Sequence, residues 1–139
     1  MPNGLSSAPR IFTKLLKPAY AHLHTLGHLC LGYIDDSYLQ GDTYGECMQN
    51  IKDTVMLFQK LGFHLHPSKS VIISTKRLTF LGFNLDSGSM TVSPTEQKVL
   101  KTLQACEKLK AKQNPLISEV AEVIGILVSN FPGAQFGQL

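Results

Sequence analysis

Hydrophobic positions near the N-terminus recur at the three- and four-residue spacing of one helix face. A capping hydroxyl at Ser7 and a first-turn proline at Pro9 predict that the helix begins there. Pro18 lacks the amide hydrogen that a helix interior requires, so it predicts a kink or an end, and Gly27 predicts a stop. The apolar positions are Ile11, Phe12, Leu15, Leu16 and Ala19.

The pattern then changes to two short runs of aliphatic and aromatic residues, Leu29–Ile34 and Ser37–Gln40. Asp35 and Asp36 lie between them. Two such runs around a polar pair predict a β-hairpin, although the turn lacks the usual Asn-Gly or Asp-Gly.

Helical spacing returns after the hairpin. Thr43 and Glu46 have the spacing of a capping box, in which each side chain bonds the backbone of the other residue. Gly62 is suited to end this helix because glycine adopts the left-handed conformation of helix C-termini. Its predicted apolar face consists of Cys47, Ile51, Val55 and Phe58.

The rest of the chain is predicted to form strands followed by helices. Ser93, Pro94 and Glu96 predict a helix start, and Pro115 separates that helix from an apolar one at Ser118–Ser129. The change near Ser93 suggests two domains, 1–93 and 94–139, in an α+β fold. The predicted strands are Phe63–His66, Ser70–Ile73, Arg77–Leu85 and Met90–Val92, with a turn at Asp86–Ser89.

Composition narrows the class of protein. The 139 residues are 43% hydrophobic and 17% charged, as in a globular chain, and the net charge of +3 permits a polyanionic partner. Three cysteines without paired spacing argue against a disulfide framework. No apolar run has the length of a membrane span or a signal peptide, so we expect a soluble intracellular protein, cytoplasmic or nuclear, without membrane partners.

Two pairs of histidines could in principle bind a metal ion. His24 and His28 are four residues apart, and His64 and His66 would share a strand face. Neither pair has a third ligand or a cysteine pair nearby, so structural zinc is not expected.

The aspartate pair is the strongest candidate for chemistry. Two carboxylates on a tight turn can bind divalent cations, and oxygen ligands suit Mg²⁺. Transfer of a nucleotide to a 3′-hydroxyl uses two such ions. The alternative is that Asp35 and Asp36 only make an exposed, hydrated turn.

Tyr33–Asp36, "YIDD", resembles the active-site hairpin of reverse transcriptases. Three more segments resemble motifs of that family in the required order: Met1–Pro18, Leu57–Ser70 and Leu78–Val92. The tail Ile117–Leu139 is similar to the thumb of DIRS-like and gypsy-like retrotransposon enzymes. The resemblance implies a partial polymerase palm, an antiparallel sheet with helices on one face, followed by a small helical thumb.

The resemblance implies roles for individual residues. Asp35 and Asp36 would be catalytic metal ligands for Mg²⁺ or Mn²⁺, and Lys69 would lie near the triphosphate. The partners would be an RNA or DNA template–primer and deoxynucleotide triphosphates. Read alone, Lys69 is more often a solvated charge, and Phe80 and Phe83 are more often core residues. The implied nucleotide pocket is Pro2, Asn3 (more often glutamine in the family), Gly4, Tyr33 and Ile34, and the implied primer grip is Phe80, Leu81, Gly82 and Phe83.

The third predicted helix gives an independent indication. Four lysines project within about a quarter of its circumference, and the apolar Val99, Leu103 and Cys106 occupy another face. A basic stripe beside an apolar one could follow a phosphate backbone. The alternative is a solvated surface helix. The lysines are Lys98, Lys101, Lys108 and Lys112.

The family takes a third catalytic carboxylate from a strand that precedes the Pro2–Gly4 motif. The 139-residue sequence does not contain that strand, so we expect the chain alone to lack appreciable polymerase activity. We also expect an unpaired sheet edge at Leu29–Gln40, which favours self-association. The rival interpretation is a non-catalytic protein, either a domesticated nucleic-acid-binding module or a retroelement remnant.

Overall fold

The computed structural model describes residues 6–131 and 133 of the chain, which form two compact units that divide between Ser74 and Thr75. Each unit combines helices with a small antiparallel sheet, which confirms the α+β class. The first unit contains α1 (Ala8–Thr25), β1 (Leu29–Tyr33), β2 (Asp36–Gln40) and α2 (Tyr44–Lys60). The second contains β3 (Arg77–Phe80), β4 (Phe83–Asp86), β5 (Thr91–Pro94), α3 (Glu96–Lys110) and α4 (Ile117–Val128).

Helix α1 begins at Ala8, as predicted, but the Ser7 side chain does not cap it, and the alternative that the helix ends at Pro18 is wrong. The helix continues through Pro18 to Thr25, and Gly27 follows with φ +84°. Pro18 lies on the exposed side, where water can bond the carbonyl left without a donor. Leu16 and Leu23, on either side of Pro18, are buried in one core, which keeps the helix continuous.

The hairpin of β1 and β2 packs against both helices of the first unit. Cys30 pairs with Leu39, and both contribute to the core. Aromatic side chains surround this core: the Phe58 and Phe63 rings lie 5.5 Å apart, and Phe12 meets Phe63 edge-on at 6.1 Å. The buried core residues are Leu16, Ala19, Leu23, Cys30 and Phe58.

Helix α2 has the predicted capping box. The Glu46 amide donates to Thr43 Oγ1 at 3.2 Å, and the Thr43 amide donates to Glu46 Oε2 at 3.2 Å. Gly62 ends the helix with φ +83°. Phe58 is buried as predicted, but two polar residues of the same face, Asn50 and Thr54, are also buried.

The strands predicted at Phe63–His66 and Ser70–Ile73 are wrong. Residues 61–76 form turns and irregular backbone that pairs with no strand in the described part of the chain. Both segments have strand-like composition, but a strand requires a partner for its backbone groups. The side chain of Phe63 packs against the core instead, and Val71–Ile73 is exposed.

The second unit begins with a three-stranded antiparallel meander in the order β3-β4-β5. The single strand predicted at Arg77–Leu85 is therefore wrong, because a turn divides it. Leu81 and Gly82 have φ +50° and +79°, and two consecutive positive φ values define a tight type I′ hairpin turn. The predicted strand at Met90–Val92 begins and ends later, as Thr91–Pro94.

The start of α3 also differs from the prediction. Ser93 is paired with Asn84 in the sheet and cannot cap the helix. Thr95 is the N-cap instead, and its hydroxyl accepts from the Lys98 amide at 3.4 Å. Helix α4 follows the prediction within one residue at each end. No helix in the described ranges is long and apolar enough to cross a membrane.

Candidate active site

The aspartate pair lies at the tip of the β1–β2 hairpin. Tyr33 pairs with Asp36, so the loop between the strands contains only Ile34 and Asp35, and Asp36 is the first residue of β2. Ile34 has φ +53°. A β-branched side chain rarely adopts that conformation, and such a residue costs about 1–3 kcal/mol of local strain. The tip is therefore a tight and strained turn.

The register assigns each hairpin side chain to a face. Residues directly opposite in an antiparallel pair share a face, and faces alternate along each strand. Because Cys30 and Leu39 face the helices, Asp36 and Tyr33 lie on the opposite face. The side chains on this open face are Leu29, Leu31, Tyr33, Asp36, Tyr38 and Gln40.

Asp35 and Asp36 are both exposed. Within residues 6–131 and 133, neither carboxylate takes part in a side-chain hydrogen bond or an ion pair. Mg²⁺ is usually held by one or two carboxylates together with substrate phosphates and water, so this donor pair fits the ion. No group of three or more His, Cys, Asp or Glu side chains that could hold a metal occurs in the same residues.

Asn50 on α2 fixes the open end of the hairpin. Its Nδ2 donates to the carbonyls of Leu29, at 2.8 Å, and Gln40, at 3.0 Å, which are the first and last residues of the two strands. Thr54 Oγ1 donates to Asn50 Oδ1 at 3.2 Å. Sequence reasoning missed this residue, although a polar side chain on an otherwise apolar helix face was the available signal.

Tyr20 on α1 holds the middle of the hairpin. Its hydroxyl shares a hydrogen bond of 2.6 Å with Ser37 Oγ, the residue after Asp36. A Cβ on Gly32, opposite Ser37, would lie 2.3 Å from the Tyr20 ring, so only glycine allows this contact. Burial raises the pKa of the Tyr20 hydroxyl, and the hydrogen bond to Ser37 partly offsets that effect.

A polar cluster joins the start of β1 to α2. Asp53 accepts hydrogen bonds from Gln49 Nε2, at 3.0 Å, and from His28 Nε2, at 2.9 Å. These bonds, with Gln49 the larger influence, lower the pKa of Asp53. His24 Nε2 also donates to the Cys30 carbonyl at 2.9 Å. Both histidines thus have a role in the fold.

Lys69 lies in an exposed turn after α2. Its amide donates to the His66 carbonyl at 3.2 Å. No contact joins its side chain to Asp35 or Asp36 in the residues that the structure describes. Pro2, Asn3 and Gly4 fall outside the described residues, so the implied nucleotide pocket is represented only by Tyr33 and Ile34.

The segment Phe80–Phe83 forms the β3–β4 turn of the second unit. The Thr95 amide donates to the Gly82 carbonyl at 3.0 Å, which fixes the turn against the start of α3. The Lys98 ammonium lies 3.7 Å from the centre of the Phe83 ring, a cation–π contact. Leu81 is exposed at the tip.

The four lysines assigned to one stripe have different environments. Lys98 donates to the Ser129 carbonyl at 2.6 Å, and burial lowers the pKa of its ammonium. Lys112 lies beyond the end of α3 and pairs with Glu119 on α4. Lys101 and Lys108 are exposed. The predicted contact with nucleic acid therefore fits Lys101 and Lys108 best.

The fold is α+β, and the adjacent Asp35 and Asp36 lie at the tip of its first hairpin. The chain belongs to the family described as reverse transcriptase (RNA-dependent DNA polymerase), whose model matches residues 1–85.

Viral polyproteins are among the relatives of this chain. It is 25% identical over 99 residues to the Gag-Pol polyprotein of woolly monkey sarcoma virus, covering 70% of the chain and 6% of that protein. It is 25% identical over 103 residues to the Gag-Pol polyprotein of avian reticuloendotheliosis virus, covering 72% and 9%. It is 29% identical over 119 residues to the enzymatic polyprotein of soybean chlorotic mottle virus, covering 79% and 16%. The chain thus spans only a small part of these relatives.

Proposed function

We propose that this chain is the palm and thumb part of a retroelement reverse transcriptase, with the β1–β2 hairpin as its catalytic element. The reaction would add deoxynucleotides to a primer on an RNA or DNA template inside the cell. The observation that carries the proposal is the tight turn that presents Asp35 and Asp36, both exposed and without side-chain partners among residues 6–131 and 133. The similarity of Ile117–Leu139 to DIRS-like and gypsy-like thumbs supports a retrotransposon origin.

Asp35 and Asp36 would hold Mg²⁺ or Mn²⁺, which when bound supplies positive charge for the attacking oxygen and the leaving pyrophosphate. Asn50 and Tyr20 keep the hairpin in place, so the carboxylates need little reorganisation. Tyr33, on the same face as Asp36, would line the nucleotide site with Ile34, Pro2, Asn3 and Gly4. Lys69 would neutralise or protonate the leaving pyrophosphate.

The second unit would hold the nucleic acid. The turn Phe80–Phe83 would position the primer backbone, because Gly82 has no side chain to keep a phosphate at a distance. Lys98 would support this turn through its contact with Phe83. Lys101 and Lys108 would contact phosphates, and Lys112, beyond the end of α3, would do so only by leaving its ion pair with Glu119.

Binding of a deoxynucleotide triphosphate with and without Mn²⁺ tests the catalytic proposal. We expect metal-dependent binding to the native chain and its loss in the Asp35→Asn/Asp36→Asn variant. Asp42→Asn is the matched control, because Asp42 is exposed and close in sequence but lies outside the turn. Binding that is independent of metal, or equal in both variants, would contradict the proposal.

The rival function is non-catalytic binding of nucleic acid, favoured by the exposed Lys101 and Lys108 on α3. In that case the aspartates are incidental. Template–primer binding that weakens with salt but is unchanged in Asp35→Ala/Asp36→Ala, together with no metal-dependent nucleotide binding, would favour this alternative.

Self-association is a separate proposal. The β1–β2 sheet has two strands, so each has an edge without a strand partner among the described residues. Unpaired edges favour pairing with another chain. We expect a concentration-dependent dimer in size-exclusion chromatography, and a constant monomer over the accessible concentration range would contradict this.

A further inference from the structure

Helix α1 carries a row of basic side chains on its outer face. Arg10, Lys14 and Lys17 follow at intervals of four and three residues, so they project within about 60° of one another around the helix. All three are exposed. The buried residues of α1 are Leu16, Ala19 and Leu23, which lie on the opposite side. The basic face therefore points away from the core and from the hairpin packed on it.

The charge of this face is not compensated locally. Helix α1 contains no Asp or Glu, and no ion pair involves its three basic residues within the described part of the chain. Helix α2, by contrast, contains the acidic Glu46 and Asp53 as well as the basic Lys52 and Lys60. The basic face of α1 is thus a concentrated positive surface on a chain whose net charge is only +3.

The shape of this surface favours a regular polyanion. Arg10 and Lys17 are separated by about 10 Å along the helix axis. The packed face of α1 holds this row on a fixed line. A membrane would instead require a broad free apolar face beside the charges. Ile11 and Leu15 are exposed there, but Leu16, Ala19 and Leu23 are in the core, which leaves only a narrow apolar strip. A phosphate backbone presents charges at short, regular intervals along such a line.

We propose that Arg10, Lys14 and Lys17 bind the phosphate backbone of a nucleic-acid duplex, at a surface separate from the hairpin tip. The choice of partner rests on the proposed function. The contact itself does not require metal or a nucleotide, because it depends on cations only.

The test is the salt dependence of binding to a short blunt DNA duplex, measured with a metal chelator present. Each phosphate contact contributes a slope of about −0.9 in a plot of log affinity against log salt, so Arg10→Gln/Lys14→Gln/Lys17→Gln should make the slope shallower by about 2.7. Lys14→Gln alone should change it by about 0.9. The control Lys52→Gln/Lys60→Gln/Lys110→Gln removes the same net charge from exposed positions elsewhere.

The proposal is supported if the slope changes in the α1 variants and stays close to the native value in the control. It is overturned if the slope becomes shallower by the same amount in both triple variants, or if it changes in neither. It is also overturned if the native chain prefers anionic vesicles to the duplex. Asp35→Asn/Asp36→Asn should leave this binding unchanged. If that variant retains metal-dependent nucleotide binding, the proposed function fails. The duplex-binding result for the α1 variants does not depend on that outcome.

Discussion

At the scale of single residues, the turn at Ile34 is the unusual feature of the site. Its positive φ is a conformation that glycine or asparagine adopts more readily than a β-branched residue. Sequence patterns located the turn, because two strand-like runs flanked the aspartates. They could not reveal the strain, since nothing in the residue type of isoleucine indicates φ +53°.

Replacing Ile34 by glycine should raise the free energy of unfolding by about 1 kcal/mol, because relief of strain exceeds the added flexibility of the unfolded chain. Leu31→Gly is the control, on an exposed strand position with ordinary φ, and should lower the free energy by about 1 kcal/mol. Urea unfolding measures both. Equal destabilisation by the two changes would show that Ile34 is not strained.

At the scale of elements, local signals predicted what local contacts determine. Thr43 and Glu46 bond each other within one turn, so the start of α2 was readable. The strand predictions at Phe63–His66 and Ser70–Ile73 failed because a strand needs a partner elsewhere in the chain. Pro18 was misjudged for a related reason: the core packing of α1 on both sides of it is not visible in local sequence.

The hairpin depends on Asn50, which the sequence did not identify. Asn50→Ala would leave the carbonyls of Leu29 and Gln40 without their donor, and we expect a loss of about 2–3 kcal/mol in the free energy of unfolding. Gln59→Ala, an exposed change on the same helix, should remain within about 0.5 kcal/mol of native. Hydrogen exchange should also become faster in β1 and β2. A loss no larger than that of Gln59→Ala would contradict the assigned role.

At the scale of the whole molecule, carboxylates with a lowered pKa occur in both units. Asp53 in the first unit is bonded by Gln49 and His28, Asp86 in the second by Arg77, and Glu119 by Lys112. A carboxyl group whose pKa is lower in the folded state stabilises the fold above its unfolded pKa. That contribution is lost as the pH falls through the folded value.

Stability should therefore fall on acidification below about pH 4, near the ordinary pKa of Asp. Asp53→Asn should make this fall in stability less steep. Gln49→Ala should raise the pKa of Asp53 observed by NMR, because the hydrogen bond from Gln49 is the larger influence on that pKa. Urea unfolding at a series of pH values measures the first effect. An acid profile of Asp53→Asn identical to that of the native chain would contradict the assignment.

The measurement that tests the central claim most directly is paramagnetic broadening of the amide NMR signals by Mn²⁺ in the presence of a deoxynucleotide triphosphate. Paired carboxylates at the hairpin tip predict broadening centred on Tyr33–Ser37, abolished by Asp35→Asn/Asp36→Asn and retained by Asp42→Asn. Broadening centred elsewhere, or unchanged in the double variant, would show that the hairpin does not bind the metal.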